Sequence, residues 1–307
     1  MSTIQLDWES PDEETWRHRI TACGRSTAFQ SWSWGSASMA VGDTAGLHRA
    51  YILKNGRPVG LLQVFDQKRL GLFTLGQILR GPLFFHPVMP EDRIDALRAV
   101  QSHYSLSRLK RLSILPELPD GPATQVLLND SGFHQVLPEY DTAWLDLKQP
   151  LDSLRARFRQ NFRNQLRRAE DHDIRCAIEE DPRPLLALYD AHRAKTGYSG
   201  PSGAMLSSLP AQDGLCLQAY APDNHLLAGV FFVLHGVAAT YQVGWTSPEG
   251  RACHAHNLLL WRALPALTDL GIRHLDLGGL DWNKAPGVAH FKTGLGGESF
   301  SLPGTFV

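Results

Sequence analysis

An α/β fold in its mixed-sheet, α+β form, laid down twice in tandem, is what the sequence predicts. Three observations predict it. Short runs rich in leucine, β-branched and aromatic residues alternate with stretches of helical period, a pattern that stacks helices on the faces of a mixed sheet. A hairpin signal stands in each half, Lys54-Asn55-Gly56-Arg57 and Asp223-Asn224, and each is followed by a strand with a glycine near its start and an apolar run. The elements around the two hairpins come in one order, and a repeat this long means tandem domains, not a solenoid. The domains read as residues 1–139 and 140–307.

Asp12 to Thr21 reads as a short capped helix and Thr27 to Ala40 as a second. Phe29-Gln30-Ser31-Trp32-Ser33-Trp34-Gly35 opens the second helix. Two tryptophans two residues apart do not share a helix face. One then packs inward and the other lines a cleft or the domain junction, with a core role for both as the alternative. The first hairpin joins His48–Leu53 to Val59–Phe65. A third strand spans Gln77 to Phe85, a helix Pro90 to Tyr104, and a strand Arg111 to Leu115.

The order restarts near Tyr140. Thr142 to Leu147 is a strand, and Pro150-Leu151-Asp152 opens one long helix through Glu170. Ile174 to Glu179 is a strand and Pro184 to Lys195 a helix. The second hairpin pairs Leu215–Tyr220 with Leu227–Leu234, whose partner is Ala238 to Trp245. A helix from Ala255 to Leu270 stops before Gly271, a residue suited to the left-handed position after a helix. A short buried strand follows Ile272 and stops at Gly278-Gly279. A second short strand carries Phe291 and Lys292 side by side and also ends in glycines, which let backbone or ligand approach closely. A plain C-terminal hairpin with a surface lysine is the other reading.

Composition narrows the classes. Hydrophobic content of 43%, charged content of 20% and a net charge of -1 fit a globular protein and exclude a chain that binds nucleic acid or membrane by overall charge. A local patch would have to supply any such contact. Cys23, Cys176, Cys216 and Cys253 are scattered without CxxC pairing, as expected of reduced thiols. Met1 to Asp7 has neither the basic nor the apolar region of a secretory signal. No apolar run approaches the roughly 20 residues that span a bilayer. The expected location is cytoplasmic.

Several constellations could carry chemistry. Arg155, Arg157, Arg159, Arg163, Arg167 and Arg168 crowd one stretch without interleaved acids, while Leu154, Phe158, Phe162 and Leu166 recur every four residues on one stripe. Such a surface suits phosphates of tRNA or of a nucleotide sugar, or it is a solvated face. The strand-to-helix junction from Trp245 to Asn257 is where such sheets bind ligands, which brings forward His254, His256 and Asn257. Cys253-His254-Ala255-His256 lacks zinc spacing, and no metal is expected. An acyl-CoA pyrophosphate loop read from Arg251 would place His254 and His256 where small residues are wanted, which counts against coenzyme A. Tyr198, on the loop after His192-Arg193-Ala194-Lys195-Thr196-Gly197, flanks a cleft or simply follows a helix end whose cations answer the helix dipole. No nucleophile has an evident base, so no covalent enzyme intermediate is indicated.

Taken together, the chain resembles the FemABX family, aminoacyl-tRNA-dependent peptidyl transferases built from tandem acetyltransferase-like (GNAT) domains. The resemblance covers most of the chain. It rests on Phe29 to Gly35, Arg80-Gly81-Pro82, the run from Arg159 to Glu170, Asn257-Leu258-Leu259-Leu260-Trp261, Asp276-Leu277-Gly278-Gly279, and Phe291-Lys292-Thr293-Gly294-Leu295-Gly296-Gly297-Glu298. It implies two tandem GNAT-like acyltransferase domains, an acceptor side first and a donor side second. It implies that an acceptor amine attacks the ester carbonyl of aminoacyl-tRNA. Phe291 would stack on the terminal adenine, Lys292 would stabilise the oxyanion, and Arg159, Arg163, Arg167 and Arg168 would hold phosphates. Tyr198 matches the loop bordering the acceptor, and Trp32 joins it there. The helical-hairpin arm of some members is absent. No cofactor is implied beyond aminoacyl-tRNA as co-substrate. The acceptor would be a peptide, a muropeptide precursor or a small amine. An acyl-CoA-dependent GNAT N-acyltransferase is the alternative, and a non-catalytic tRNA- or nucleotide-sugar-binding module the second.

Overall fold

The computed structural model describes residues 4–69, 73–104 and 109–307. The chain forms two compact units, Met1–Asp141 with Phe300–Val307, and Thr142–Ser299.

The first unit runs β1 (Ile4–Asp7), α1 (Glu13–Ile20), α2 (Trp32–Ala40), β2 (Gly46–Lys54), β3 (Arg57–Arg69), β4 (Phe73–Leu79), β5 (Leu83–Phe84), α3 (Pro90–Gln101), β6 (Lys110–Leu115), α4 (Pro122–Asp130) and β7 (Gln135–Leu137). Helix starts follow local chemistry: the Asp12 carboxylate accepts the Thr15 N–H at 2.9 Å, and Ser31 Oγ accepts the Trp34 N–H at 3.3 Å. Asn55 and Gly56 turn the hairpin with φ of 51° and 76°, the pair of positive values that a two-residue turn needs. The second expected helix is shorter than its pattern, because Ala28–Gln30 forms a 3-10 turn before Ser31 restarts the chain as α2. The expected strand Gln77–Phe85 is two strands, β4 beside β6 and β5 beside β3. Helix α4 and strand β7 lie outside the expected elements, although Pro122 in the first turn is a start signal.

The polar motif residues of this unit hold it together. Gln30 Nε2 donates to the Leu79 carbonyl at 2.9 Å while its Oε1 accepts the Gln63 N–H at 2.8 Å. Arg80 is buried and forks onto Glu117 at 2.9 and 2.8 Å. The core between sheet and α3 contains Ile52, Val64, Ile78, Leu97 and Ile114, all fully buried.

The second unit runs β8 (Tyr140–Asp146), α5 (Leu151–Arg157), α6 (Gln160–Glu170), β9 (Arg175–Glu179), α7 (Arg183–Thr196), α8 (Gly203–Ser207), β10 (Gly214–Tyr220), β11 (Leu226–His235), β12 (Ala238–Thr246), α9 (Pro248–Ala252), α10 (Ala255–Asp269), β13 (His274–Asp276), α11 (Pro286–Thr293) and β14 (Glu298–Leu302). Its sheet is ordered β14-β8-β13-β12-β11-β10-β9. The side chains of α6 and α10 that face it build one core, with Phe162, Leu166, Leu259 and Leu264 buried.

Two expectations fail here for stated reasons. The single helix through residues 150–170 is α5 and α6, because Phe158 and Arg159 are extended (ψ 139° and 151°) and the Arg159 N–H donates to the Gly294 carbonyl at 2.8 Å. The four-residue stripe is nonetheless right, since Leu154, Phe158, Phe162 and Leu166 are all buried. Phe291 and Lys292 are not on a strand but in α11. Ala289 to Lys292 alternates apolar and polar like a short strand, yet the buried positions are Ala289 and Thr293, four apart on one helix face. Pro286 in the first turn is the readable helix signal.

The chain end departs from the expected second domain of 140–307. β15 (Thr305–Phe306) enters the first unit's sheet, ordered β1-β2-β3-β4-β6-β15-β7, with Phe306 opposite Ile114 and fully buried.

Candidate active site

In the second unit, the parallel pair β12–β13 is laddered only from Ala238↔His274 to Thr240↔Asp276. β12 continues to Thr246, whereas the chain after Asp276 turns to β8, with the Leu277 N–H donating to the Ala143 carbonyl at 2.9 Å. A wedge therefore opens between residues 241–246 and Gly278-Gly279. Lys292 reaches into this wedge from α11. Its Nζ donates to the Gly279 carbonyl at 3.0 Å and stands 5.6 Å from the centre of the Tyr241 ring.

Gly278 makes that approach possible. It has φ +70°, and a Cβ there would stand 3.3 Å from the Tyr241 carbonyl and 3.5 Å from Lys292 Nζ. Burial pushes the Lys292 pKa from 10.5 down to about 8, against an opposing pull from Asp276. Asp276 is fully buried, accepting from Thr142 Oγ1 at 2.6 Å and from the Gly278 N–H at 2.8 Å. An ammonium has three donors. One is spent on a neutral carbonyl.

The wall behind the lysine is fixed by His256. One ring nitrogen meets the Tyr241 hydroxyl at 2.8 Å and the other the Thr246 hydroxyl at 2.8 Å, so the start of α10 clamps both ends of the unladdered part of β12. Burial drives the His256 pKa from 6.5 down to about 4 and keeps the ring neutral. Asn257 is also buried and donates to Gln165 Oε1 at 3.2 Å. His254 takes the position before α10 with φ +55°.

The structure gathers Lys292, Phe291, His256 and Asn257 around α10 and α11, but Phe291 faces protein. Its ring centroid lies 5.6 Å from Phe162 and 5.3 Å from His256, and the side chain is half-buried against the core. Of the arginines, Arg163 Nη1 donates to the Ala156 and Phe158 carbonyls at 2.9 and 2.8 Å and bolts the α5–α6 junction. Arg155, in the same run, pairs with Glu170 at 2.5 Å, an acid at the run's end. Arg159, Arg167 and Arg168 remain exposed. Tyr198 is 56% exposed beside Tyr189. Trp32 belongs to the first unit, where it is half-buried and packs against the cluster of Trp16 and Tyr51, while Trp34 is buried.

Sequence reasoning passes over Tyr241 and Thr246, which show only as part of a strand. Among the described residues, no group of three or more His, Cys, Asp or Glu is placed to hold a metal, and no helix is long and apolar enough to cross a membrane.

Residues 156–293 match the family model described as acetyltransferase (GNAT) domain, a span that contains the wedge, His256 and Lys292. With two such sheets in one chain, the fold is that of tandem GNAT-like domains, and the match falls on the second. The chain's particular likeness is to FemX: the crystal structure of FemX superposes with TM-score 0.79 at 14% identity, over 98% of this chain and 96% of that one. The resemblance to the FemABX-like proteins therefore stands in the fold. The C-terminal domain of a putative lysylphosphatidylglycerol synthetase from Agrobacterium fabrum matches with TM-score 0.58 at 14% identity, over 96% and 92%. A tandem GNAT protein from the clavulanic acid biosynthesis pathway matches with TM-score 0.55 at 15% identity, over 100% and 98%. No curated protein matches the sequence.

Proposed function

We propose that this protein is an aminoacyltransferase that moves an aminoacyl group from aminoacyl-tRNA to an amine of a peptide, muropeptide precursor or small molecule. The observation that carries the reading is the Lys292 ammonium, held in the β12–β13 wedge with a neutral carbonyl as its hydrogen-bond partner. The acceptor nitrogen attacks the ester carbonyl, the C–N bond forms, and the carbonyl oxygen becomes anionic. Lys292 stabilises that oxygen with its uncommitted N–H donors. The tetrahedral species collapses, the C–O bond to the ribose breaks, and the nitrogen's proton ends on the departing hydroxyl. No protein nucleophile is required, because the ester is already activated.

In this reading Phe291 and His256 position the wedge from behind, and Asn257 holds α10 against α6. Arg159, Arg167 and Arg168 meet phosphates, with Arg163 setting the junction that presents them. His254 lies at the donor end of α10, and Tyr198 serves the acceptor. Phe291 as a stacking platform for adenine is not retained, since its ring is engaged by Phe162 and His256. The names FemX and lysylphosphatidylglycerol synthetase among the structural neighbours lend support to an aminoacyl cargo, and the acetyltransferase family model supports the acyl-CoA alternative.

The test is transfer of label from charged tRNA to a panel of amines, read by mass spectrometry. RNase should stop it. Transfer that survives RNase and needs acyl-CoA would make the protein a thioester-dependent N-acyltransferase instead. Binding of charged tRNA with no product from any amine would leave a binding module.

A further inference from the structure

One turn makes the wedge that admits Lys292, and one acid holds that turn. β13 ends at Asp276. The Asp276 Oδ1 accepts from the Gly278 N–H at 2.8 Å, so the chain folds back over the acid within two residues. Thr142 Oγ1, on β8, stands 2.6 Å from the same Oδ1 and 3.1 Å from the Gly278 carbonyl. These bonds draw the chain toward β8 and away from β12, where the Leu277 N–H donates to the Ala143 carbonyl at 2.9 Å. Gly278 takes φ +70°, and the next carbonyl, that of Gly279, then faces Lys292 Nζ at 3.0 Å.

Asp276 also acts by charge. It is fully buried, and it is felt at the Lys292 ammonium, where it opposes the loss of the proton that burial favours. The other groups turned toward this end of the wedge carry no charge near neutral pH. β12 contributes the Tyr241 phenol, whose pKa burial raises, and α10 contributes His256, which burial keeps neutral. The Tyr198 phenol, close enough to influence Tyr241, is likewise raised by burial. β8 contributes the Thr142 hydroxyl. On α11 itself His290 meets the Trp282 ring, with centroids 5.3 Å apart, and in the loop before it Asp281 accepts the Asn283 and Lys284 N–H groups at 3.1 and 2.7 Å. Among the described residues no ion pair joins Lys292 to an acid. A carboxylate in direct contact would occupy the ammonium's donors, whereas one behind a turn raises its proton affinity and leaves them available.

We propose that Asp276 is the positioning residue of the wedge: through Gly278 it aims the Gly279 carbonyl at Lys292, and from behind that turn its charge keeps the ammonium protonated with donors left for a substrate oxygen. The substrate oxygen rests on the transfer reading. The hold on the proton does not, and it is measured without any substrate.

The experiment follows acylation of the Lys292 amine by acetic anhydride across a pH series, read by mass spectrometry of the peptide that carries it. In the parent the midpoint should lie near 8. Asp276→Asn keeps an oxygen for the Gly278 N–H and removes the charge, so its midpoint should lie about one pH unit lower. Thr142→Val removes a hydrogen bond from the same turn without changing charge, and its midpoint should stay at the parent's. In the transfer assay the ratio of parent to Asp276→Asn kcat/KM should then grow about fivefold from pH 6 to pH 8, whereas Thr142→Val should lower kcat/KM by one factor at every pH. An Asp276→Asn midpoint at or above the parent's, or one lowered as far by Thr142→Val, would overturn the role given to the charge. A ratio that stays flat with pH would overturn its part in transfer. Should Asp276→Asn not fold, the carbon-13 signal of the Asp276 carboxylate in the parent decides: it should step at the Lys292 midpoint and lose the step in Lys292→Met, and no step overturns the proposal. If the parent moves no label to any amine, the transfer reading fails, while acylation and the carboxylate signal still judge Asp276.

Discussion

In the first unit the parallel pair β4–β6 is laddered over six residue pairs, from Thr74↔Lys110 to Leu79↔Leu115; in the second, β12–β13 is laddered over three and then parts. The two sheets otherwise match strand for strand, β1-β2-β3-β4-β6-β15-β7 against β9-β10-β11-β12-β13-β8-β14. A zipped pair spends its backbone groups on each other and leaves no gap between the strands. The parted pair leaves a wedge that takes a lysine, and burial there lowers its proton affinity. In the first unit a buried cation, Arg80, forks onto Glu117 instead. One duplicated plan thus closes one cation on an acid and leaves the other with donors to offer.

The largest effect that could break this contrast is at Lys292. Lys292→Met should lower kcat/KM in the transfer assay by about 100-fold to 1,000-fold, the scale seen when an oxyanion donor is lost, while charged tRNA still binds. Turnover near the parent's would remove the wedge from the mechanism. The accompanying pH profile follows from the proton. Transfer should fall as pH rises through about 8, where Lys292 becomes neutral. Folding should respond oppositely: between about 8 and 10.5 the unfolded chain holds a proton that the folded one has released, so stability rises with pH there. Urea unfolding across that range should show the rise in the parent and lose it in Lys292→Met.

His256 sharpens the comparison at a smaller scale. His256→Ala leaves the Tyr241 and Thr246 hydroxyls without their partner and should cost about 1–3 kcal/mol of stability, read by denaturant midpoint, together with a loss of transfer as β12 loosens. With a folded pKa of about 4 against the usual 6.5, the neutral ring contributes stability above pH 6.5 that is lost as pH falls toward 4. A His256→Gln protein should show a flatter acid limb. An unchanged limb would mean that another group governs acid unfolding.

The smallest expected effect is electrostatic. Reversing Arg167 and Arg168 to Glu should weaken tRNA binding several-fold and flatten its dependence on salt, with stability unaltered. Arg163 is left out because it holds the α5–α6 junction, so its reversal would confuse folding with binding. Equal salt slopes in parent and double variant would return this face to plain solvation.

Local signals in the chain account for much of this. Asn55-Gly56 suits only the turn of a hairpin, Asp12 and Ser31 announce helix starts, and the apolar stripe from Leu154 to Leu166 marks side chains that are in fact buried. Lys292 stands out by motif. Its setting does not, because the short alternation from Ala289 to Lys292 suits a strand as well as it suits one face of a short helix, against the Pro286 signal. Tyr241 and Thr246 carry no local mark of their own; they matter because one strand stops pairing while its neighbour runs on.

Sequence alone determined the two hairpins, several helix starts and the apolar stripe from Leu154 to Leu166, since turn chemistry, caps and periodicity act over a few neighbouring residues. Tertiary structure alone decided where α5 ends, where the last eight residues go, and that Phe291 packs inward. Each of those depends on a partner more than a hundred residues away, Gly294 for Arg159, Ile114 for Phe306 and Phe162 for Phe291, and such pairings exist only once the chain has closed on itself.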